Sequence, residues 1–516
     1  MRHLSPIPQS ARRSGGREAR RSVRSAPLSD ELRPVRAGLE GGTFRPLDDH
    51  AVRAIDDAVY QILEEIGLSQ APESGVEYMV KAGAIAGDDG RVRFPRALIE
   101  HTLKIAARDI TLCGQDPKHD LLLSGSRVHY GTAGAAVHVV DVHNNSYRES
   151  YLADIYDAAR IVDKMDNIHF FQRPMVARDI EDPGAMDLNT VYAAVKGTTK
   201  HVGTSFTEAE FMPPIISMLH DIAGGEDKWR ERPFLSNSNC FVVPPLRFAT
   251  ESCLVMEEAV RAGMPVLLLS AGQAGATAPA SIAGAVAQAL AETIAGLVYV
   301  NAMQPGHPCI VGTWPFVSDL RTGAMSGGSG EQGLLTAACA QMLQYYKLPG
   351  GAASGMADAK MPDAQSGYEK GSTLVMAGLS GLNMVYEAAG MHASLLGFCL
   401  ESLIIDNDML GQCMRCVRGI EVNEKTIGID VMRDVCIDGP GHYLGHDQTI
   451  SLMQTEYIYP DLSDRSSPKE WEELGKPNLV MEASKRKDEI LGGYFPDHIS
   501  ADLDQKLRGS YNILLG

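Results

Sequence analysis

The sequence has few aromatic residues and lacks the short motifs of several large enzyme classes. Aromatic residues make up 6% of the 516 residues, which disfavours an all-β sandwich, whose strands are enriched in aromatic and β-branched residues. No Gly-x-Ser-x-Gly and no Gly-x4-Gly-Lys-Ser/Thr motif occurs. The most specific sequence signals of serine hydrolases and of P-loop nucleotide hydrolases are therefore absent. No Gly-x-Gly-x-x-Gly follows the first predicted strand, which weakens a dinucleotide-binding fold.

Positive charge is scarce except at the start of the chain. Residues 1–36 contain nine Arg and no Lys and carry a net +6, whereas the whole chain carries −18. This balance disfavours nucleic acid as a partner. No apolar stretch follows the basic residues, as a secretory signal would require. We predict that residues 1–40 form a flexible basic arm that packs on its own chain or on another subunit, and a plainly disordered tail is the alternative.

The cysteines and the apolar segments favour a cytoplasmic protein without membrane spans. The nine cysteines are an odd number and are scattered along the chain, which is typical of free thiols in a reducing compartment. Polar residues such as Gln288 and Glu292 interrupt the longest apolar stretch, 278–303. We therefore predict a buried helix there, in a large core or a subunit interface.

From about residue 150, short apolar segments alternate with helical patterns. Strand starts recur every 32 to 43 residues, the size of a βα unit, and this alternation predicts a parallel sheet. The predicted strands are 168–172, 201–206, 234–239, 266–271, 309–314, 350–355 and 382–390. The segment 127–142 supplies an eighth strand or a hairpin beside it, and eight units would close a barrel.

The fold class predicted is therefore α/β, a TIM (β/α)8-type barrel with an N-terminal helical extension and a C-terminal cap. A doubly wound open sheet is the alternative. The predicted boundaries place the helical extension at 41–126, the barrel at 127–420 and the cap at 421–516. Helices are expected over 49–66, 95–108, 393–420 and 478–492, from the 3.6-residue spacing of apolar side chains.

Three short motifs carry weak chemical signals. DVHNNS (141–146) resembles the start of the cobalamin-binding signature DxHxxG, but Ser146 replaces its glycine, so an Asn-rich turn explains it better. CMRC (413–416) has no second pair of ligands nearby, and GHYLGHD (441–447) lacks the Glu of a zinc-binding HExxH. We predict no metal site.

The predicted strands end in small or polar residues, and in a barrel these ends share the face where active sites are built. The loop DAKMPDAQSGYEKG (358–371) follows one of them and is rich in charge. It is either part of a site or an ordinary helix start capped by Asp363. The Gly-rich loop 322–333 suits close approach of a large ligand or partner.

Several longer motifs together resemble the trimethylamine methyltransferase superfamily. They are GGTFRPLDD (41–49), WPFVSDLRTG (314–323), GSGEQGLLTAACAQMLQYYKLPG (328–350), SGMADAKMPDAQSGYEKG (354–371), FCLESLIIDNDML (398–410) and GHYLGHDQT (441–449). The resemblance runs from about residue 11 to the C-terminus. It implies a TIM-barrel enzyme that moves a methyl group from a methylamine to cobalt(I) in a separate, small corrinoid protein.

One departure from the family pattern bears on the substrate. The archaeal trimethylamine enzymes carry pyrrolysine two residues before the Asp of this motif, and here that residue is Met356. Pyrrolysine offers an electrophilic imine, whereas Met offers only a polarisable apolar side chain. The resemblance is therefore to the branch without pyrrolysine, which includes glycine betaine methyltransferases. A quaternary amine needs no imine, since it leaves as a neutral tertiary amine.

This resemblance also implies a set of site residues. The catalytic candidates are Glu331, Met356 and Asp358. A quaternary cation is held by aromatic faces or carboxylates, and a betaine carboxylate by polar or basic groups. The substrate-binding candidates are Tyr130, His201, Asn239, Trp314 and Glu387, and Phe206, His129, Asn237 and Arg173 also fit one of these two roles. Met356 and Glu331 are expected to open onto the same face as Tyr130.

The expected partners are a small quaternary amine and a corrinoid protein, with this chain forming a homo-oligomer and binding no corrinoid tightly by itself. A trimethylamine-type enzyme, a zinc-dependent barrel methyltransferase and a non-catalytic amine-binding subunit remain alternatives. The sequence does not distinguish glycine betaine from carnitine, choline or proline betaine as the substrate.

Overall fold

Eight parallel strands form a closed cylinder in the computed structural model, which describes residues 28–437, 439 and 441–516. In chain order the barrel strands are β1 (Arg127–Tyr130), β2 (Phe171–Gln172), β3 (Val202–Thr204), β4 (Leu235–Asn239), β5 (Val266–Ser270), β6 (Cys309–Thr313), β7 (Gly350–Ala353) and β8 (Met384–Tyr386). Each pairs with the next, and β8 pairs with β1. A bridge from Gly131 to Phe170 joins β1 to the start of β2 and closes the cylinder. The (β/α)8 prediction is confirmed.

Each strand leads into a helix, as the alternating pattern predicts. The barrel helices are α1 (Leu152–Asp163), α2 (Pro183–Gly197), α3 (Met212–Ala223), α4 (Thr250–Arg261), α5 (Ile282–Met303), α6 (Gly330–Tyr346), α7 (Ala364–Leu379) and α8 (Leu400–Arg418). Asp182 caps α2, whose first residue is Pro183. Asp363 caps α7 by accepting the backbone N–H of Ser366 at 3.0 Å, as its position before the helix predicts.

Glycines in the barrel strands leave room for large side chains from their neighbours. A Cβ on Gly131 would lie 2.4 Å from the ring of Phe170, and a Cβ on Gly351 would lie 2.7 Å from the ring of Tyr386. Real Cβ atoms do not approach other atoms so closely, so both positions require glycine. Tyr386 of β8 also contacts Phe170 beside β2 and Trp314 after β6, and because neither strand is a neighbour of β8, these rings meet inside the barrel.

The chain before the barrel forms helices and small sheets. The helices are Asp49–Gln61, continued by the π-turn Ile62–Ile66, then Glu73–Ala82 and Arg96–Ile105, in agreement with the helices predicted over 49–66 and 95–108. Leu39–Glu40 runs antiparallel to β1. The short strands are Leu68–Ser69, Ile85–Ala86 and Arg91–Arg93 in one sheet, and Ile110–Leu112 and Leu121–Leu123 in another.

Two small sheets are built from the loops that follow barrel strands. One contains His138–Asp141, Ser146–Glu149, Met391–His392 and Gly397–Phe398, and the other contains Gln273–Ala274, Phe316–Ser318 and Met325–Ser326. The segment 127–142 thus supplies both a barrel strand and half of a hairpin. The helix predicted over 393–420 begins only at Leu400. Ala393, Ser394 and Leu395 have φ values of 51°, 51° and 79°, and a right-handed helix cannot include such residues.

The described chain divides into two compact units. One contains residues 28–36 and Gly419–Tyr459, with helices Glu424–Ile427, Ile429–Cys436 and Asp447–Leu452. The other contains Ala37–Arg418 and Pro460–Gly516, and its last helices are Pro468–Glu473, Leu479–Gly493 and Ala501–Ser510. The segment 421–516, predicted as one cap, is therefore shared between the units. The four predicted domain boundaries stay predictions, and residues 1–27 of the basic arm lie outside the described residues.

Helix α5 is the one helix among the described residues that is long and apolar enough to cross a membrane. Its most apolar window is 83% buried inside the protein. The helix packs against β5, β6 and the helices Asp49–Gln61 and Glu73–Ala82. The prediction of a buried helix in a large core is confirmed.

Candidate active site

Buried polar atoms without hydrogen-bond partners mark the C-terminal ends of the barrel strands. Among the described residues, the side chains that carry such atoms include Arg173, Asn237, Asn239, Trp314, Ser354 and Glu387. An unpaired buried polar atom costs free energy, and a group of them is expected where a ligand or ordered water completes the hydrogen bonds. The candidate site therefore lies at this end of the barrel, where (β/α)8 enzymes hold their active sites.

Three aromatic side chains form one wall of this site. The ring centroids of Trp314 and Tyr386 are 5.2 Å apart, and those of Tyr386 and Phe170 are 5.1 Å apart. Trp314 follows β6 and Tyr386 ends β8, and Phe170 pairs with Gly131, the residue that directly follows β1. Aromatic faces attract cations through the ring quadrupole, most strongly when the cation is desolvated. The wall is therefore suited to an organic cation.

Glu387 directly follows Tyr386 and is fully buried. Neither oxygen of its carboxyl group has a hydrogen-bond partner, and its backbone has φ 61°, in the left-handed region. Burial raises the pKa of this carboxyl to about 8, so that the group is mostly protonated at pH 7. A cation close to the carboxyl would favour its ionised form. No cationic side chain among the described residues pairs with this carboxyl group, so a bound cation would have it as a counter-ion.

Met356, which follows β7, is also fully buried. A Cβ on Gly327 would lie 2.7 Å from its Cε atom and 3.0 Å from its Sδ atom, so the glycine loop lies directly against the thioether. The neighbouring Gly328 approaches Glu369 equally closely. In this structure, the Gly-rich loop makes room for side chains of the same chain.

Asp358 holds three loops together. Its Oδ2 atom accepts a hydrogen bond from Ser326 Oγ at 2.6 Å, and its Oδ1 atom accepts bonds from Gly327 N at 2.7 Å and Ser394 Oγ at 2.5 Å. Its own N–H donates to Glu369 at 2.8 Å. A carboxylate with these bonds positions the loops after β6, β7 and β8. The catalytic role predicted for Asp358 stays a prediction.

Glu331 is exposed in the first turn of α6, whose N-cap is Ser329. Its carboxylate has the environment of a solvated surface group near the helix N-terminus, where negative charge is favourable. Glu331 is thus exposed whereas Met356 is buried, and the catalytic role predicted for Glu331 stays a prediction.

Tyr130 and His201 lie away from the site. The Tyr130 hydroxyl donates to the carbonyl of Leu374 on α7 at 3.2 Å, so this side chain points outward, between the sheet and its helices. It does not open onto the face of Met356, because His129 and not Tyr130 shares the inward side of β1. His201 precedes β3 and so lies at the opposite end of the barrel. Its ring bonds the Cys113 carbonyl at 2.8 Å and Ser236 Oγ at 3.0 Å, and burial lowers its pKa to about 4.

Asn239 ends β4, at the correct end of the barrel, but its amide is directed toward a helix. Nδ2 donates to the carbonyl of Ser252 on α4 at 2.6 Å, whereas Oδ1 is buried without a partner. Of the five predicted substrate-binding residues, only Trp314 and Glu387 meet two conditions. Each has a buried polar atom without a partner, and neither side chain forms a hydrogen bond with another described residue. His129 hydrogen-bonds the Asn383 carbonyl at 3.1 Å.

Arg173, one of the further candidates for a carboxylate, does lie at this end. It follows β2, and Nη2 donates to Ser205 Oγ at 2.8 Å. Burial lowers the pKa of its guanidinium. Two residues of the aromatic wall, Tyr386 and Phe170, are not among the substrate-binding residues predicted from the sequence. Both lie in predicted strands, and Tyr386 directly precedes Glu387. In strands apolar on both faces the sequence pattern does not show which side faces the barrel interior.

A buried ion pair supports the segment that carries Glu387. Lys370 Nζ lies 2.6 Å from Asp406 Oδ2, and the side chains are 1% and 3% exposed. The same oxygen accepts the N–H of Gly390, whose φ is 88°, at 2.8 Å. Lys370 on α7 and Asp406 on α8 thereby fix the chain three residues beyond Glu387.

The weak metal motifs have local roles in the structure. No group of three or more His, Cys, Asp or Glu among the described residues could hold a metal ion. His143 lies in the hairpin turn that Asp141 stabilises by accepting two backbone N–H groups. His446 caps the helix Asp447–Leu452. Cys413 is buried, whereas Cys416, one turn along α8, is exposed.

The structure is a (β/α)8 barrel that carries three packed aromatic rings and a buried, unpartnered carboxyl group at the C-terminal ends of its strands. The family model described as Trimethylamine methyltransferase (MTTB) matches residues 13–512. This chain belongs to that family, and the resemblance predicted from its motifs is confirmed.

Named relatives match nearly the whole chain. A trimethylamine methyltransferase MttB of Desulfitobacterium hafniense (strain DSM 10664 / DCB-2) is 30% identical over 473 residues, covering 92% of this chain and 94% of the relative. A glycine betaine methyltransferase of Desulfitobacterium hafniense (strain Y51) is 30% identical over 467 residues, covering 90% and 96%. Among solved structures, the Methanosarcina barkeri monomethylamine methyltransferase (MtmB) aligns with a TM-score of 0.49 at 10% identity over 92% of both chains.

Proposed function

We propose that this protein is a corrinoid-dependent methyltransferase that transfers a methyl group from a quaternary amine, such as glycine betaine, to cobalt(I) in a separate corrinoid protein. Two observations carry the proposal: the aromatic wall of Trp314, Tyr386 and Phe170, and the buried, unpartnered carboxyl of Glu387, the residue that directly follows Tyr386. A quaternary nitrogen has no N–H to donate, so only aromatic faces and negative charge can hold it.

Met356 supports a quaternary amine over trimethylamine. The resemblance places it where pyrrolysine-containing relatives hold their imine, and its thioether is fully buried against Gly327. This side chain can pack against methyl groups but cannot form an adduct with an amine. A quaternary amine needs no adduct, because the methyl group leaves a cationic nitrogen and a neutral amine departs.

The residues of the site would position the amine and exclude water. Cobalt(I) is itself the nucleophile, so catalysis depends on holding the methyl group in line for attack in a dry environment. Trp314 and Tyr386 would hold the cationic head. Glu387 would release its proton and become the counter-ion when the cation binds. No general acid is required, since the leaving amine is neutral.

Trimethylamine is the second candidate substrate, because the MttB of Desulfitobacterium hafniense has that name at the same 30% identity. An amine-binding subunit without catalysis is the third. We also expect, as predictions, a cytoplasmic location, a homo-oligomer, and no tight corrinoid binding by this chain alone.

The test measures methyl transfer to reduced cobalamin, or to a corrinoid protein encoded near this gene, by absorbance with each amine in turn. Glycine betaine or another quaternary amine should methylate cobalt, and trimethylamine should not. Glu387→Gln should lower kcat/KM at least tenfold, because an amide cannot become a counter-ion. The matched control is Glu77→Gln, exposed on the helix Glu73–Ala82. Transfer from trimethylamine alone would overturn the proposal, and amine binding without any transfer would favour the non-catalytic subunit.

A further inference from the structure

Arg173 is partly buried at the C-terminal end of the barrel and carries a positive charge. Its side chain forms no ion pair with a described carboxylate, and its Nε atom is buried without an acceptor. Nη2 of the guanidinium donates to Ser205 Oγ, a neutral hydroxyl, at 2.8 Å. A charged group with a buried donor atom and no acceptor for it is costly, so such an atom is expected where a ligand or partner completes the hydrogen bonds.

Two titratable groups act on this guanidinium without pairing with it. Asp187 on α2 favours the charged form electrostatically. Its Oδ2 atom, however, accepts the N–H and the hydroxyl of Thr207 at 2.7 and 2.8 Å. Cys240, which follows β4, is exposed at the mouth, yet surrounding protein raises the pKa of its thiol to about 11. At pH 7 this thiol is neutral and supplies no negative charge.

Arg173 and Trp314 lie on opposite sides of the barrel at its C-terminal end. Arg173 follows β2, whereas Trp314 follows β6, and these strands are opposite each other in the eight-stranded barrel. A ligand in the mouth therefore meets cation-binding aromatic faces on one side and an anion-binding fork on the other. The guanidinium fork matches the geometry of a carboxylate and binds it with two hydrogen bonds.

Resting on the proposed function, we infer that Arg173 selects substrates that carry a carboxylate as well as a quaternary nitrogen. The substrate class is then a betaine, with the ammonium at the aromatic wall and the carboxylate at Arg173. Choline and tetramethylammonium, which lack a carboxylate, would leave the guanidinium without an anion. Trimethylamine would do the same.

The test uses calorimetric titration of the full-length protein with glycine betaine and with tetramethylammonium. Wild-type protein should bind glycine betaine more tightly than tetramethylammonium. Arg173→Met should raise the Kd for glycine betaine about 10- to 100-fold, the range for hydrogen bonds to charged groups. The same variant should leave the Kd for tetramethylammonium within about threefold of its wild-type value.

Two further variants keep the test decisive. Arg173→Lys retains the charge but not the fork, so its Kd for glycine betaine should fall between wild type and Arg173→Met. Arg178→Met removes an arginine from the same loop, one that forms an exposed ion pair with Glu149 at 2.8 Å. It should leave both Kd values within about twofold. Melting curves establish that each variant is folded.

The outcomes separate this inference from the proposed function. Equal weakening of both ligands by Arg173→Met would show a general structural role, and no weakening of glycine betaine would show no role in binding. Either result overturns the inference. If wild-type protein binds or demethylates quaternary amines without regard to a carboxylate, the inference fails and the proposed function stands. If it binds no quaternary amine, the proposed function fails.

Discussion

Lys370 and Asp406 form an ion pair of 2.6 Å whose two side chains are both at least 97% buried. The pair lies between α7 and α8, and Asp406 also accepts the N–H of Gly390. Removing one partner of a buried ion pair leaves an uncompensated charge, which is far more costly than removing both.

We therefore predict that Lys370→Met lowers the free energy of unfolding by about 3–5 kcal/mol. The double variant Lys370→Met/Asp406→Leu should recover at least half of this loss. Lys118→Met, which breaks the exposed pair with Asp116 at 2.9 Å, is the control and should change stability by less than about 1 kcal/mol. Denaturant unfolding measures all three, and an additive double variant would contradict the pairing argument.

Glu387 should make stability depend on pH. Its pKa is raised to about 8 in the folded protein, from an ordinary value near 4.5. Below the unfolded pKa both states are protonated, and the group's contribution is fully present. That contribution is lost as pH rises through the folded pKa. The free energy of unfolding should therefore fall between about pH 4.5 and 8, by about 1.4 kcal/mol per unit of pKa shift.

Glu387→Gln should remove this fall, because its amide does not titrate. The comparison is the difference in unfolding free energy between wild type and variant at pH 5 and pH 8. Equal differences at the two pH values would show that Glu387 has an ordinary pKa. Saturating glycine betaine should also reduce the fall, since a bound cation favours the ionised carboxyl.

Tyr386 should contribute to amine binding through its ring. Tyr386→Phe keeps the ring and should leave the Kd for tetramethylammonium within about threefold. Tyr386→Leu removes it and should raise that Kd about 3- to 30-fold, the equivalent of a desolvated cation–π contact. Calorimetry with tetramethylammonium measures both, and equal effects of the two variants would assign the role to the hydroxyl.

Met356→Ala should affect stability more than methyl transfer. The side chain is fully buried, so its truncation should cost about 2–5 kcal/mol of unfolding free energy. The rate of methyl transfer from a quaternary amine at saturation should fall only a few-fold, since the proposed role of Met356 is packing. Loss of all activity in a folded variant would show that Met356 acts directly on the substrate.

Asp358 should act through the loops that it joins. Asp358→Ala removes the acceptor for Ser326, Gly327 and Ser394. We expect faster amide hydrogen exchange at Gly327 and Ser394, together with a raised KM for the amine. Asp358→Asn retains one carbonyl acceptor and should show smaller changes in both. Unchanged exchange in Asp358→Ala would remove the positioning role.

The sequence by itself determined the barrel and the family. Apolar segments repeating at the length of a βα unit require a parallel sheet with helices outside, and this pattern is local enough to be visible without tertiary contacts. The caps at Asp182 and Asp363 are equally local. The motifs around Met356 identified the family, and Trp314 and Glu387 were found because they directly follow strands.

Only the tertiary structure decided which side chains face the site. A barrel strand is apolar on both faces, so its sequence does not distinguish Tyr130, which points outward to α7, from Tyr386, which points inward. His201 was misplaced because its role depends on Cys113 and Ser236, which are distant in sequence. Ser326, Gly327 and Ser394, which donate to Asp358, are distant from it in sequence, so only the fold shows that Asp358 joins their loops. Only the fold shows that Arg173 has no ion-pair partner among the described residues, because this depends on every residue that the fold brings next to it.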